Sequence, residues 1–198
     1  MGMQLRLGRE DDAAAMLAIY APFVRTTAIS FELEPPDLAE FCQRIRDTLE
    51  YAPWLVCDHG GAIAGYAYGS KFRPRAAYRW TIEVTVYVSP AYHRRGVGRA
   101  LYTALLNCLR CQGFQTATAG IALPNDASIR LHESVGFRPV GVFHAAGFKL
   151  GAWHDVAWYE RSLGDRGPSP NEPVPTAAAM NLPGWRNAMQ SGQEVLNR

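Results

Sequence analysis

The sequence predicts an α/β layered fold built on a mixed sheet, and three observations carry that expectation. Strand-like segments outnumber helix-like ones, the helix-like segments in the middle of the chain lie between strands as crossovers, and no internal repeat is visible. At 198 residues the chain is long enough for one well-buried domain and short for two.

Gln4 to Leu7 alternates as a short strand, after which Asp11 or Asp12 offers an N-cap to an Ala-rich helix. Met16, Ile19, Tyr20 and Phe23 fall on one face of that helix. Pro35-Pro36 closes the next loop, and Asp37 with Glu40 approximates a capping box opening a second helix whose apolar face holds Phe41, Ile45 and Leu49. Trp54 to Cys57, the turn Asp58-His59-Gly60-Gly61 and Ala62 to Tyr68 read as a hairpin. Trp80 to Val88 is rich in β-branched and aromatic residues and reads as a buried strand. A glycine turn, His93 to Gly98, leads into a helix with Leu101, Leu105, Cys108 and Leu109 on one stripe, stopped by Gly113. Gln115 to Ile121 reads as a strand, Asp126 to Val135 as a helix closed by Gly136, and Pro139 to Tyr159 as a hairpin around Lys149 to Trp153.

After Leu163 the character changes, which sets the expected domain at 1–163 and a C-terminal tail at 164–198. Gly164 to Pro183 carries five of the thirteen prolines and few large apolar residues, as an extended, passive linker would. Trp185 to Leu196 could instead form a short helix that docks on this chain or a neighbour.

Composition excludes several classes. A hydrophobic share of 48%, a charged share of 19% and a net charge of +2 describe an ordinary globular protein without the basic footprint of a nucleic-acid binder. No run is apolar enough for a membrane span, and the early charges of MGMQLRLGREDD disfavour a secretory signal. Arg6 stands where a myristoylation signal needs Ser or Thr. The four cysteines, Cys42, Cys57, Cys108 and Cys111, lie in or beside apolar runs, as reduced thiols of a cytoplasmic protein would. Cys108 and Cys111 have metal-type spacing, but no second pair completes a site, so no metal is expected.

The most informative run is VTVYVSPAYHRRGVGRAL, Val84 to Leu101: a strand, a basic glycine turn and an amphipathic helix in succession. Such a turn lets backbone amides converge on an anion at a positive helix terminus. Gly96 and Gly98 permit close approach, while Arg94, Arg95 and Arg99 add positive charge. A glycine turn alone also fits nucleotides, free phosphate or tight packing; it lacks the Lys-Ser/Thr ending of a P-loop and the third glycine of a dinucleotide fingerprint.

This run resembles motif A of the GNAT acetyltransferase superfamily, and LPNDASIRLHESVGF, Leu123 to Phe137, resembles its motif B. A third block, AAGFKLGAWHDV, with Phe31-Glu32, Phe72 to Trp80 and Pro53 to Val56, is similar to phosphinothricin and methionine sulfoximine N-acetyltransferases. The resemblance extends from Gln4 to about Leu163. It implies a mixed, mostly antiparallel twisted sheet with helices on both faces, acetyl-CoA as cosubstrate, a small anionic amino-acid analogue as acceptor, and a homodimer. It further implies that Val97 and the turn from Arg94 to Arg99 hold the pyrophosphate, that Val86, Tyr87 and Val88 present backbone groups to the pantetheine arm, and that Asn125 contacts the coenzyme; Asn125 and Ser128, both coenzyme candidates, could equally be simple caps of the motif B helix. One departure stands out: motif A opens with Gln or Arg where this chain has His93. Backbone amides dominate pyrophosphate binding, so that function is expected to persist.

Glu83 sits inside the apolar run WTIEVTVYV, on the face shared by Thr85 and Tyr87 and opposite Val84 and Val86. A lone carboxylate in a central strand is costly unless used, and the resemblance places the general base there. His132 stands where many relatives carry a tyrosine acid; it is either a catalytic group or a satisfied structural histidine, and the sequence leaves both open. Phe31, Arg73, Arg75 and Tyr78 match substrate-pocket positions of the subgroup, and guanidinium groups suit carboxylate and phosphinate oxygens. Two other readings remain: an acetyltransferase acting on a protein or other amine, which the paired arginines disfavour for cationic acceptors, and a non-catalytic acyl-CoA-binding module, which has no use for Glu83.

Overall fold

The computed structural model describes residues 2–197. In chain order the elements are β1 (Gln4–Leu7), α1 (Ala13–Thr26), α2 (Leu38–Tyr51), β2 (Trp54–His59), β3 (Ala62–Lys71), β4 (Thr81–Val88), α3 (Val97–Gln112), β5 (Thr116–Ala122), α4 (Asp126–Ser134), β6 (Arg138–Lys149), β7 (Ala152–Ser162), α5 (Thr176–Ala179) and α6 (Pro183–Leu196). The seven strands form one sheet in the order β1-β2-β3-β4-β5-β7-β6, antiparallel throughout except where β4 runs beside β5. The mixed sheet anticipated from the helix crossovers is therefore present, with a single parallel junction at its centre.

Alternation along the strands splits the core in two. Ile82 and Val84 of β4 point to α3, where Leu101, Leu105 and Leu109 are fully buried. Trp54, Tyr66 and Tyr87 point the other way, against Met16 and Val24 of α1 and Phe41 and Ile45 of α2. Trp54 stacks on Tyr68 at 4.1 Å and meets Phe41 edge-on, so aromatic contact adds to area burial on that side. Asp37 caps α2 as its position suggests, accepting the Glu40 N–H at 2.8 Å. Asp12 behaves differently. It sits at the start of α1 but its carboxylate binds Arg6 at 2.7 Å and reaches back to the Arg9 N–H instead of capping the helix.

The passive tail expected after Leu163 is not what forms; the docking alternative is. Val174 exchanges backbone and side-chain hydrogen bonds with Gln112, which is 2% exposed, and α6 then lies along α3. Trp185 and Ala188 are buried against Cys108 and Ala179. Gln193 accepts the Leu5 N–H and donates to the Met3 carbonyl, tying α6 to the edge strand β1. The approach is close because position 192 lacks a side chain: a Cβ there would lie 2.5 Å from the Ala100 carbonyl oxygen and 2.6 Å from Leu5.

Candidate active site

The parallel junction lasts only three rungs, Thr81↔Thr116, Ile82↔Ala117 and Glu83↔Thr118. Beyond Glu83 the two strands are no longer paired, while β4 stays paired to β3 through Val88 and β5 to β7 through Ala122. A wedge opens in the middle of the sheet, and β4 lines it with unpaired backbone. Its polarity follows from two bonds. The Ser89 N–H donates to Ala64 of β3, and the Ile82 carbonyl accepts from Thr118 of β5. Alternation then turns the amides of Val84, Val86 and Val88 into the wedge and those of Glu83, Thr85 and Tyr87 towards β3. Val86 and Val88 are thus placed with open amides. Tyr87 contributes its position to the wall, but its ring packs between Tyr20 and Tyr66 in the second core.

At the end of β4 the chain enters the basic turn. Arg94 and Gly96 both adopt left-handed backbone, φ 62° and 78°, which curls the turn onto the first residues of α3. The first turn of α3 holds Arg99 and no acidic residue, so the positive end of this 16-residue helix is unopposed. Gly98 passes where α3 squeezes between β4 and α4: a Cβ there would be 3.0 Å from Leu131 and 3.6 Å from Val88. Arg94, Arg95, Gly96, Val97, Gly98 and Arg99 therefore lie together at the positive end of α3, an arrangement that could hold an anion. This fits a pyrophosphate. The His93 ring hydrogen-bonds the Val88 carbonyl at 3.1 Å, at the mouth of the turn.

The wedge itself is a cleft of about 220 Å³ that brings together Glu83, Val86, Tyr87, Asn125, Ser128 and His132, with Tyr102, Ile29 and Gly120 also in its lining. Glu83 is half-buried, and burial pushes its carboxyl above the usual carboxylate range against a smaller downward pull from Arg73. Asn125 caps α4 by accepting the Ser128 N–H. His132 is 3% exposed and its environment fixes its tautomer. Nδ1 faces the Ser128 carbonyl at 2.7 Å, which only accepts, so Nδ1 carries the proton. Nε2 is then the acceptor for the Tyr102 hydroxyl at 3.0 Å. Burial lowers the His132 pKa, consistent with a neutral ring, and raises that of Tyr102. His132 is thus both structurally satisfied and wired to a phenol. Tyr102 escaped the sequence reading because it lies one residue off the apolar stripe of α3, and its partner is thirty residues away.

The substrate-pocket candidates are distributed. Arg73 and Tyr78 line an apolar groove of about 520 Å³ with Val142, Phe143 and Trp158; Arg73 lies over the Phe72 ring at 4.4 Å. Arg75 lines a second cavity of about 370 Å³ that adjoins the first, sharing Phe72, Arg73, Tyr78 and Thr81 with it. Phe31 lies apart from these, tilted against His154 at 6.3 Å and so close to Gly147 that a Cβ there would clash with its ring. Lys149 holds that arrangement. Buried at 4% exposure, its ammonium donates to the Val24 and Ser30 carbonyls at 2.6 Å each, locking the loop before Phe31 to the end of β6. The sequence showed Lys149 only as part of a motif; a buried cation that serves carbonyls of another element has no periodic signature.

Known proteins share this fold. Residues 5–158 match the model of the acetyltransferase (GNAT) domain. A phosphinothricin N-acetyltransferase of Streptomyces viridochromogenes is 40% identical over 172 residues, 87% of this chain and 93% of that protein. An L-methionine sulfoximine/L-methionine sulfone acetyltransferase of Salmonella typhimurium is 35% identical across 81% of this chain and 95% of its own length. Among solved structures, a GNAT superfamily phosphinothricin acetyltransferase of Sinorhizobium meliloti, in complex with acetyl-CoA, superposes with a TM-score of 0.82 at 36% identity, covering 88% of this chain and 96% of that one.

Proposed function

Since the chain belongs to the GNAT family and is an acetyl-CoA-dependent N-acetyltransferase, we propose that it acetylates the amino group of a small anionic amino-acid analogue of the phosphinothricin or methionine sulfoximine/sulfone type. The observation that carries this reading is Glu83: a half-buried carboxyl of raised pKa at the point where β4 and β5 part, beside open amides and within electrostatic reach of Arg73.

The chemistry follows from the geometry. Acetyl-CoA, as cosubstrate, supplies an activated acetyl carbonyl. The anion cradle from Arg94 to Arg99 holds its pyrophosphate, and the β4 amides hold the pantetheine arm. One of those amides offers a hydrogen bond to the thioester oxygen as charge gathers there. The acceptor amine enters with its acid groups on Arg73, Arg75 and Tyr78 and loses its extra proton to Glu83. Its nitrogen then bonds to the acetyl carbon and the C–S bond breaks; the Tyr102 hydroxyl, turning from His132 Nε2 to the sulfur, protonates the thiolate, and the second proton shed by the new amide nitrogen restores the phenol. Thiol release measured over a panel of amino-acid analogues, lysine peptides and other amines tests the acceptor class. Arg75→Ala is expected to raise KM for the anionic acceptor about tenfold or more with KM for acetyl-CoA nearly constant, and Tyr102→Phe to lower kcat about tenfold or more. Preference for lysine peptides, or equal weakening of both substrates by Arg75→Ala, would overturn the assignment.

A homodimer is part of the same proposal. β6 is an edge strand, and with the hairpin tip it exposes Val140, Val142, Phe143, Phe148, Leu150 and Trp153, each at 42% or more. Edge backbone beside an apolar patch of this kind invites a second copy. Light scattering should read twice the chain mass for the natural sequence and one chain mass for Trp153→Asp; one chain mass for both rules the dimer out. Unpaired Cys42, Cys57, Cys108 and Cys111 favour the reducing cytoplasm as the place of action, which cell fractionation reads directly.

A further inference from the structure

Every residue from Arg73 to Arg79 is exposed, so the loop that carries the acid-binding groups has no core of its own. Its internal order rests on two backbone bonds, Tyr78 N–H to the Arg75 carbonyl at 3.0 Å and Arg79 N–H to the Ala76 carbonyl at 3.1 Å, on the Arg79 Nε–H bond to the same Ala76 carbonyl at 2.9 Å, and on the packing of Tyr78 and Arg73 against the half-buried Phe72 ring. A segment so thinly held would open readily if left alone. Support comes from the C-terminal extension. The Trp80 indole N–H donates to the Asn171 carbonyl at 2.8 Å, and Arg79 pairs with Glu172 while its guanidinium lies 5.4 Å from the Trp80 ring. Glu172, Pro173 and Pro175 then form one wall of the 370 Å³ cavity whose other wall is the loop itself.

We propose that the C-terminal extension is a clamp: residues 171–175 hold the 72–80 loop in the conformation that presents Arg73, Arg75 and Tyr78 to the acid groups of the amine substrate. The final clause rests on the substrate reading above; the clamping of the loop does not.

The clamp is itself firmly seated. Gln112 is buried at the end of α3 and donates to both the Val174 and Tyr51 carbonyls at 2.8 Å, with the Val174 N–H returning a bond to the Gln112 carbonyl. The prolines on either side of Val174 keep this stretch extended and stiff. Behind it, α6 is anchored on α3 by Trp185 and Gly192. An exposed loop is thus joined to a firmly seated strap, and the strap lies beyond residues 5–158 that match the family model. An ordered loop binds its ligand without having to be ordered at that moment, so the benefit is expected in substrate affinity. The exposed Arg79–Glu172 pair alone contributes little, and the Trp80 bond adds roughly as much as one ordinary hydrogen bond, so both must be removed together for a clear effect.

The test uses the full chain with Trp80→Phe and Glu172→Gln combined, neither residue being assigned to substrate or coenzyme. Hydrogen exchange at the Tyr78 and Arg79 amides should quicken about tenfold or more, with the thermal midpoint shifted by only a few degrees. KM for the anionic amine should rise about fivefold, while kcat and KM for acetyl-CoA stay within about twofold. Unchanged exchange at those two amides overturns the clamp, whatever the substrate proves to be. A parallel rise of both KM values with a large fall in melting temperature also overturns it, since that is general destabilisation. Arg75→Ala, measured alongside, separates the two ideas: if exchange quickens in the double variant but Arg75→Ala leaves the amine KM unmoved, the loop is clamped and the substrate reading fails.

Discussion

Glu83→Gln should lower kcat by about 100-fold or more, the usual scale for loss of a general base. The amide is nearly isosteric and cannot accept the ammonium proton. Folding offers no alternative explanation for such a loss, because Glu83 makes no ion pair among the described residues and pays a burial penalty when charged. Removing that charge leaves stability unchanged or raises it. The pH profile gives an independent readout. The base works only when ionised, so kcat/KM of the natural enzyme falls as pH drops through the Glu83 pKa. Burial has raised that pKa, so the fall begins at higher pH than an exposed glutamate would give, and Arg73 limits how far it moves. In Glu83→Gln this acidic limb should vanish while coenzyme binding, held by the Arg94–Arg99 turn, persists. A variant that turns over like the natural enzyme at neutral pH would remove Glu83 from the mechanism.

Why Glu83 was legible in the sequence and Tyr102 was not is a matter of range. Glu83 announces itself locally, as one acid inside nine otherwise uncharged strand residues. The turn from His93 to Gly98 is likewise local, since its glycines and arginines sit between a strand and a helix whose periods change from 2 to 3.6. Strand and helix limits in the domain agree with expectation to within a few residues for the same reason: β4 begins at Thr81 against an expected Trp80, and β5 at Thr116 against Gln115. The wedge between β4 and β5 is different in kind. It depends on where pairing stops, and no residue between Val84 and Val88 encodes that stop by itself. The Tyr102–His132 bond, the Lys149 bonds to Val24 and Ser30, and the separation of Phe31 from Arg75 are all tertiary facts of this sort. Asp12 shows the converse case. Its local pattern marks a helix cap, but the Arg6 guanidinium brought in by β1 competes for the carboxylate and wins it.

Trp185→Ala should lower the melting temperature by about 10 °C, from a loss of about 3–5 kcal/mol for truncating a buried tryptophan and about 2–4 °C per kcal/mol for a chain of this length. A passive tail would show no change. The sequence favoured passivity because Gly164 to Pro183 is rich in proline and holds few large apolar residues. The positions that face α3 are nevertheless spaced as a helix requires: Trp185, Ala188, Met189 and Gly192. Two of the four are small, which reads as a weak hydrophobic stripe by composition yet permits unusually close helix contact in the fold. Gly192 makes the point independently of Trp185. Alanine there would drive a methyl group to 2.5 Å from the Ala100 carbonyl oxygen, backbone that cannot yield, so Gly192→Ala should loosen α6 although it adds apolar area and helix propensity. Calorimetry on both variants decides the matter. Two destabilised proteins establish α6 as part of the folded domain; two unchanged midpoints would return residues 164–198 to the status of a tail.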